Sequence, residues 1–337
     1  MAWDVRGSVP FEFVRQALQE PIRRQINVVP ILQRAKLPEN IIHGADGQVS
    51  IRQFAVFWRI LARALDDEFC WMDARTMKPG SFAFMAQIAM QQHTVEQGIE
   101  QALKFLSLIF ANKTTYLIQQ HSVAEIVLNE SQEEPFRPFC YFTFWMYVHG
   151  LTCWLASRRV PILAVELRCE KPENADDYRL MFSENLSFSK AQTRIIFAAD
   201  CLQQPIRRSA DELKRFINNA PRNIMVKYRD PLSLTSKTRH LLNQQTPSLW
   251  PDADQVAEHF HISVATLRRR LAEEGQSFQQ IKDKLRANQA MRALADTQKS
   301  FVDIANELGF ADVSAFYKAF RKWTGTQPGH YRQLLLG

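Results

Sequence analysis

The stretch HISVATLRRRLAEEG, residues 261–275, sets Arg268, Arg269 and Arg270 in succession on what reads as a short helix. Guanidinium groups are planar, permanently charged donor forks that match phosphate oxygens and the O6/N7 edge of guanine. The chemistry on offer is recognition of an anion or a base edge; the bland alternative is a solvated basic face. Other chemistries find less to work with. The chain has no HExxH, no GxSxG, no phosphate-cradling glycine loop and no carboxylate pair at acid/base spacing, so no catalytic residue is assigned. Five cysteines (Cys70, Cys140, Cys153, Cys169 and Cys201) form no CxxC pair and are odd in number. That fits reduced thiols better than a disulfide framework or a metal site, and no cofactor is expected. Cys153 and Cys169 stay open as redox-sensing thiols.

Charge is unevenly spread. The 337 residues hold 42 Lys+Arg against 35 Asp+Glu, a net +7. Residues 234–337 contribute 14 against 10, and the first 233 contribute 28 against 25. Net positive charge is therefore about threefold denser in the last third, which favours an anionic partner there. The start, MAWDVRGSVPFEF, lacks a basic segment leading into an apolar core, so a cytoplasmic chain is expected. One run, PFCYFTFWMYVHGLTCWLAS from Pro138 to Ser157, carries no formal charge over twenty residues, between Arg137 and Arg158-Arg159. Its length would span a bilayer. Thr143, His149 and Thr152 lie mid-segment and no second such run exists, so a buried helix is expected and no membrane. A membrane-attached protein is the alternative.

The elements that would position these groups fall into two parts. The first is mixed. Helical spacing of apolar residues marks 49–65 and 94–110, the second opened by a Thr94/Gln97 capping box. TTYLIQQHSVAEIVLNE reads as two strands around a turn near His121-Ser122. Residues 162–170 and 193–199 are further strands, and 209–218 a helix. The pattern is α+β. The dense apolar pattern is lost between Asp230 and Thr246, which places one domain at 1–233 and a second at 234–337. The second domain is almost wholly helical, with six or seven short helices. Asp252/Gln255 and Ser277/Gln280 are capping boxes and Ser300/Asp303 a weaker version. Ser263 and Asp312 are further N-cap residues.

Two segments of that domain share a plan. In DQVAEHFHISVATLRRRL, Ala257 precedes a turn at His261-Ile262-Ser263 and a helix pinned by Leu267 and Leu271. In SFVDIANELGFADVSAFYKAF, Ala305 precedes Gly309, then the Asp312 cap and a helix pinned by Phe316 and Phe320. This is helix-turn-helix spacing, whose second helix enters a major groove. Between them, at about 100° per residue, Phe278, Ile281 and Leu285 share one face of a helix. Ala287, Ala290, Met291 and Leu294 share roughly the opposite face. A stripe that changes sides suits a helix joining two bodies. Its length of about 25 Å plus turns would bring two recognition helices near the roughly 34 Å repeat of B-DNA.

With Arg286, Ala290, Ile304-Ala305, Gly309-Phe310, Phe316, Phe320, Gly325, Pro328, Tyr331 and Arg332, the last hundred residues resemble the DNA-binding domain of the AraC/XylS regulators. The first domain is similar to the arabinose-binding type of one subgroup, that of ornithine-utilisation regulators. This likeness rests on 49–110, PILAVELRCEKPENADDYRLMFSENLSF and IIFAADCLQQPI. The resemblance implies an α+β effector-sensing and oligomerisation domain followed by an all-α domain of two helix-turn-helix units joined by a linker helix. It implies an effector-responsive bacterial transcription activator in the cytoplasm. Its partners would be double-stranded promoter DNA, RNA polymerase, a small-molecule effector and a second copy in a homodimer.

For the sites, the resemblance implies DNA contacts from Ser263, Ala265, Thr266, Arg268 and Arg269, then Val313, Ser314, Tyr317, Lys318 and Arg321. Counted from the caps, Ser314 matches Ala265, Tyr317 matches Arg268 and Lys318 matches Arg269. Arg268 or Arg269 suits guanine, Ala265 and Val313 suit thymine methyls, and Arg270, Arg321 and Lys322 suit phosphate or solvent. Valine is an unusual reader at position 313, being able to make only apolar contacts. Glu273 and Glu274 repel phosphate, so the last turn of the first recognition helix is expected to point away from DNA. In the first domain Trp145, Tyr147, His149 and Cys153 are candidate effector contacts, against the alternative that this aromatic stripe is plain core. An enzyme or redox sensor fused to a DNA-binding module is the competing function. The PCHR-type cysteine context of the methyl-accepting repair proteins is absent.

Overall fold

The computed structural model describes residues 8–130, 134–158, 160–181, 183, 185–220, 234–273, 276–296 and 298–336. Arg159, Phe182, Glu184, Glu274 and the 230–233 part of the expected domain boundary lie outside them. The chain divides into two compact units, Met1–Gln119 with Ala124–Tyr228, and Arg229–Gly337 with Gln120–Val123.

The first unit opens with β1 (Ser8–Pro10), α1 (Phe11–Arg23) and α2 (Val29–Arg34). Next come β2 (Gln48–Ser50), α3 (Ile51–Leu65), α4 (Ser81–Met90) and α5 (Val95–Ile109). The hairpin strands β3 (Thr114–Gln120) and β4 (Val123–Asn129) follow, then α6 (Pro138–Leu155). The unit ends with β5 (Ile162–Glu166), α7 (Ala175–Met181), β6 (Leu186–Ser187), β7 (Thr193–Ala198) and α8 (Ala210–Asn219). β1 and β2 form an antiparallel pair. The five-stranded sheet runs β3-β4-β7-β5-β6, with β7 antiparallel and β6 parallel to β5. The helical and strand segments read from the sequence are present, with strand ends at Glu166 and Ala198. The Thr94 box is half made: Thr94 caps the Gln97 amide, but the Gln97 side chain accepts from His93 instead. Helices α1, α2, α4 and α7 were not anticipated.

The uncharged run is the core helix α6, in which fourteen residues are buried. Pro138 at its first turn has the helical φ built in. Its two interior threonines do not need outside partners, because Thr143 and Thr152 donate to the carbonyls of Phe139 and Val148 one turn back. Two of the three polar residues that argued against a lipid environment are thus absorbed by the helix itself, and His149 meets the Val160 carbonyl beyond it. Among the described residues no helix is long and apolar enough to cross a membrane. The helix bundle closes tightly at Gly98 of α5, where an added Cβ would lie 2.9 Å from Ile206 and 3.1 Å from Leu155. Buried charges on the sheet are paired: Arg194 donates to Glu125 at 2.9 Å and to Glu166 at 2.7 Å.

The second unit comprises α9 (Leu234–Asn243), α10 (Ala253–His259), α11 (Val264–Glu273), α12 (Phe278–Leu294), α13 (Phe301–Glu307), α14 (Val313–Thr324) and α15 (Pro328–Leu336). All three anticipated capping boxes are made in both directions, Ser300/Asp303 included. Ile281 and Leu285 of α12 join a buried cluster with Leu242, Val256, Ala257, Leu267 and Leu271. Ala287, Ala290, Met291 and Leu294 are buried as well, and α12 packs on α13, α14 and α15. The stripe that changes sides therefore serves one core on each face.

Candidate nucleic-acid interface

The two turns are built alike. After α10 the amide of His261 donates to Glu258 O at 2.9 Å and that of Ile262 to Ala257 O at 3.0 Å. After α13 the amide of Gly309 donates to Asn306 O at 3.0 Å and that of Phe310 to Ala305 O at 2.9 Å. This paired closure needs a left-handed residue just past the helix. Gly309 supplies it at φ +74° and His261 at φ +53°. Ser263 and Asp312 then cap the next helices, accepting from Thr266 and Ala315 amides at 3.1 and 2.7 Å. Ala257 and Ala305 are buried where the helices cross, and Leu267/Leu271 and Phe316/Phe320 anchor α11 and α14.

With those anchors inward, helical geometry sets the outward faces. Arg269 lies roughly opposite Leu267/Leu271, with Ala265 beside it and Arg268 and Arg270 on the two flanks. Ser263, Ala265, Arg268, Arg269 and Arg270 are exposed, and Thr266 is half-buried. In α14 the matching outward ridge is Ser314, Lys318, Arg321 and Lys322, all exposed. Among the described residues Arg268, Arg270, Lys318, Arg321 and Lys322 have no ion-pair partner, which leaves their charges open to solvent. Arg269 instead pairs with Glu273 at 2.6 Å. A spacing of four residues puts the two side chains on one face of α11.

Two expected readers sit differently from the rest. Tyr317 is half-buried, its ring edge-on to Phe301 at 5.6 Å. Val313 occupies the place that Val264 has in α11, and Val264 packs against the core cluster.

Supports that sequence reasoning missed lie behind the helices. Arg332 donates to Lys299 O at 2.8 Å and lies over the Phe301 ring at 4.3 Å, so it backs the ring that holds Tyr317. Arg286 lies over Trp250 at 5.1 Å, and burial holds its guanidinium below the usual range. Burial, then the nearby Arg286 charge, likewise lowers Lys282. Both arginines were visible as part of a family resemblance; their aromatic partners are set by tertiary packing.

In the first unit, Trp145, His149 and Cys153 recur every four residues and share one face of α6, while Tyr147 points elsewhere. The Tyr147 hydroxyl donates to Glu68 O at 2.7 Å and accepts from Trp58 at 3.2 Å. His149 Nε2 is 2.8 Å from Val160 O, and Cys153 Sγ accepts from the Val160 amide at 3.3 Å. Trp145 is buried, with no partner for its Nε1 among the described residues. A cavity of about 370 Å³ opens elsewhere in this unit, lined by Glu12, Arg15, Asp46, Glu173, Asn174 and Asp177 among others.

Comparison with known proteins gives this geometry its context. Residues 26–206 match the family described as the arabinose-binding domain of AraC transcription regulator, N-term. The chain belongs to the AraC family of transcription regulators. Residues 256–334 match a helix-turn-helix domain family, which spans both units of the turn-and-helix plan. The ornithine utilization regulator of Pseudomonas aeruginosa is 28% identical over 186 residues, covering 55% of each chain. The regulator VirS of Mycobacterium tuberculosis is 23% identical over 314 residues, covering 90% of each. The chain spans about half the length of the Pseudomonas relative. Among solved structures, CdpR of Pseudomonas aeruginosa is 17% identical with TM-score 0.29, covering 96% of this chain and 98% of that one. These families and relatives are transcription regulators rather than enzymes.

Proposed function

We propose that this AraC-family chain is an effector-responsive transcription activator that reads a bipartite site through two successive major grooves. The observation that carries the reading is the repeated unit itself: the same turn closure, the same cap and an outward cationic ridge, at α11 and again at α14. Ser263 and Asp312 bring two helix N-termini to the backbone. Ala265, Thr266, Arg268 and Arg269 face one groove; Ser314, Tyr317, Lys318 and Arg321 face the next, with Val313 at its edge. The working location is the cytoplasm, the partners promoter DNA and RNA polymerase, and the division of labour is 1–233 for sensing and self-association and 234–337 for DNA. Trp145, His149 and Cys153 form the effector-facing set, with Trp145 Nε1 as a donor for an acceptor on the small molecule; Tyr147 orients the helix through Glu68.

The test is competition between a duplex obtained by selection and an unrelated duplex of equal length. A preference of about a thousandfold or more is expected of a specific reader at physiological salt. Equal affinity for the two would contradict the proposal.

A further inference from the structure

We infer that Glu273 is a specificity determinant, a positioning residue that aims Arg269 and penalises binding to the wrong DNA. The inference rests on the proposed DNA-reading role of α11 and adds to it a residue outside the expected contact set. Glu273 accepts from Arg269 Nη1 at 2.6 Å, while the two side chains keep 47% and 64% of their surface exposed. Helix energetics give little reason for this arrangement. An acid in the last turn faces the negative end of the helix dipole. Arginine placed before glutamate is the weaker order for such a pair, and exposed pairs add little stability. At the matching place in α14 stands Lys322, beside Lys318, so that ridge is wholly positive. The two helices thus differ at one outward position by a reversal of charge.

That reversal has a consequence for discrimination. Where α11 meets only phosphates, Arg269 is drawn off Glu273 to the backbone, the carboxylate is left as a like charge facing it, and binding is weakened. Where a guanine presents O6 and N7, the Arg269 fork engages it and the carboxylate is occupied by the guanidinium it aims. Glu273 therefore acts chiefly against non-specific DNA, a repulsive element of the kind that sharp recognition uses.

The experiment uses the full-length chain with Glu273→Gln, which keeps the shape and an acceptor but removes the charge, and Glu273→Ala, which removes both. Affinities are measured for a selected duplex and an unrelated duplex of equal length. Glu273→Gln should tighten binding to the unrelated duplex by about fourfold, the Coulomb effect of one charge some 5 Å from a phosphate in a water-like medium. It should leave the selected duplex nearly unchanged. Glu273→Ala should in addition relax the preference at the base pair that Arg269 reads. If Glu273→Gln shifts both duplexes by the same factor, the residue only adds to the general field and the inference falls. If the wild-type chain itself fails to distinguish the duplexes, the DNA-reading role falls first.

Discussion

His261 and Gly309 hold equivalent posts, each the left-handed residue that ends the first helix of its unit. Only one of them is the residue best suited to it. A non-glycine residue in that region carries strain of order 1 kcal/mol. His261→Gly is expected to raise stability by no more than about 0.5 kcal/mol, the strain relieved less the unfolded-state entropy of glycine, as a small rise in melting temperature. Gly309→Val runs the other way, forcing a β-branched residue to φ +74° with the Ser248 backbone 3.5 Å from its Cβ. It should cost about 2–3 kcal/mol, and wild-type melting with wild-type DNA affinity would contradict the turn described here. Arg269→Ala should relax preference at one base position by about 1–3 kcal/mol of discrimination while leaving helicity intact. Unchanged selectivity in a binding-site selection would remove Arg269 from the readers. Sequence alone indicated Arg269 and Glu273 separately. The four-residue spacing that joins them was also in plain view, but weighing the acids only as repellents of phosphate obscured the pair.

At the scale of elements, α11 and α14 share architecture but not chemistry. α11 mixes arginines with a carboxylate, and α14 shows Lys318, Arg321 and Lys322 without one. Lys322→Ala should weaken binding to all sequences alike and reduce the salt dependence by about one counterion. A change confined to one half-site sequence would instead make that lysine a base reader. Which features were legible follows from how local they are. Capping boxes need residues three apart, so Asp252/Gln255, Ser277/Gln280 and Ser300/Asp303 could be read directly. The two apolar faces of α12 follow from one angle repeated along seventeen residues. The insertion of β7 between β4 and β5 depends on pairing between distant segments, which no local pattern encodes. The same holds for the ring contacts of Arg286 and Arg332. Thr94/Gln97 shows the limit even of local signals, because a neighbouring amide, His93, competed for the glutamine.

The molecule as a whole joins an α+β unit built around the buried helix α6 to an all-helical unit built around α12. Net positive charge is concentrated in the second, where the proposed partner is polyanionic. The uncharged run from Pro138 to Ser157 shows how whole-molecule context decides a local pattern: its length fits a bilayer, while its aromatic side chains are consumed by the surrounding core. The central claim is that two recognition helices read one duplex. It is tested most directly by selecting bound sequences from a random DNA pool with the full-length protein at two salt concentrations. Two enriched half-sites about ten base pairs apart are expected, with affinity falling and the motif persisting at higher salt. Salt-sensitive binding that enriches no motif, or a single half-site without its neighbour, would contradict it.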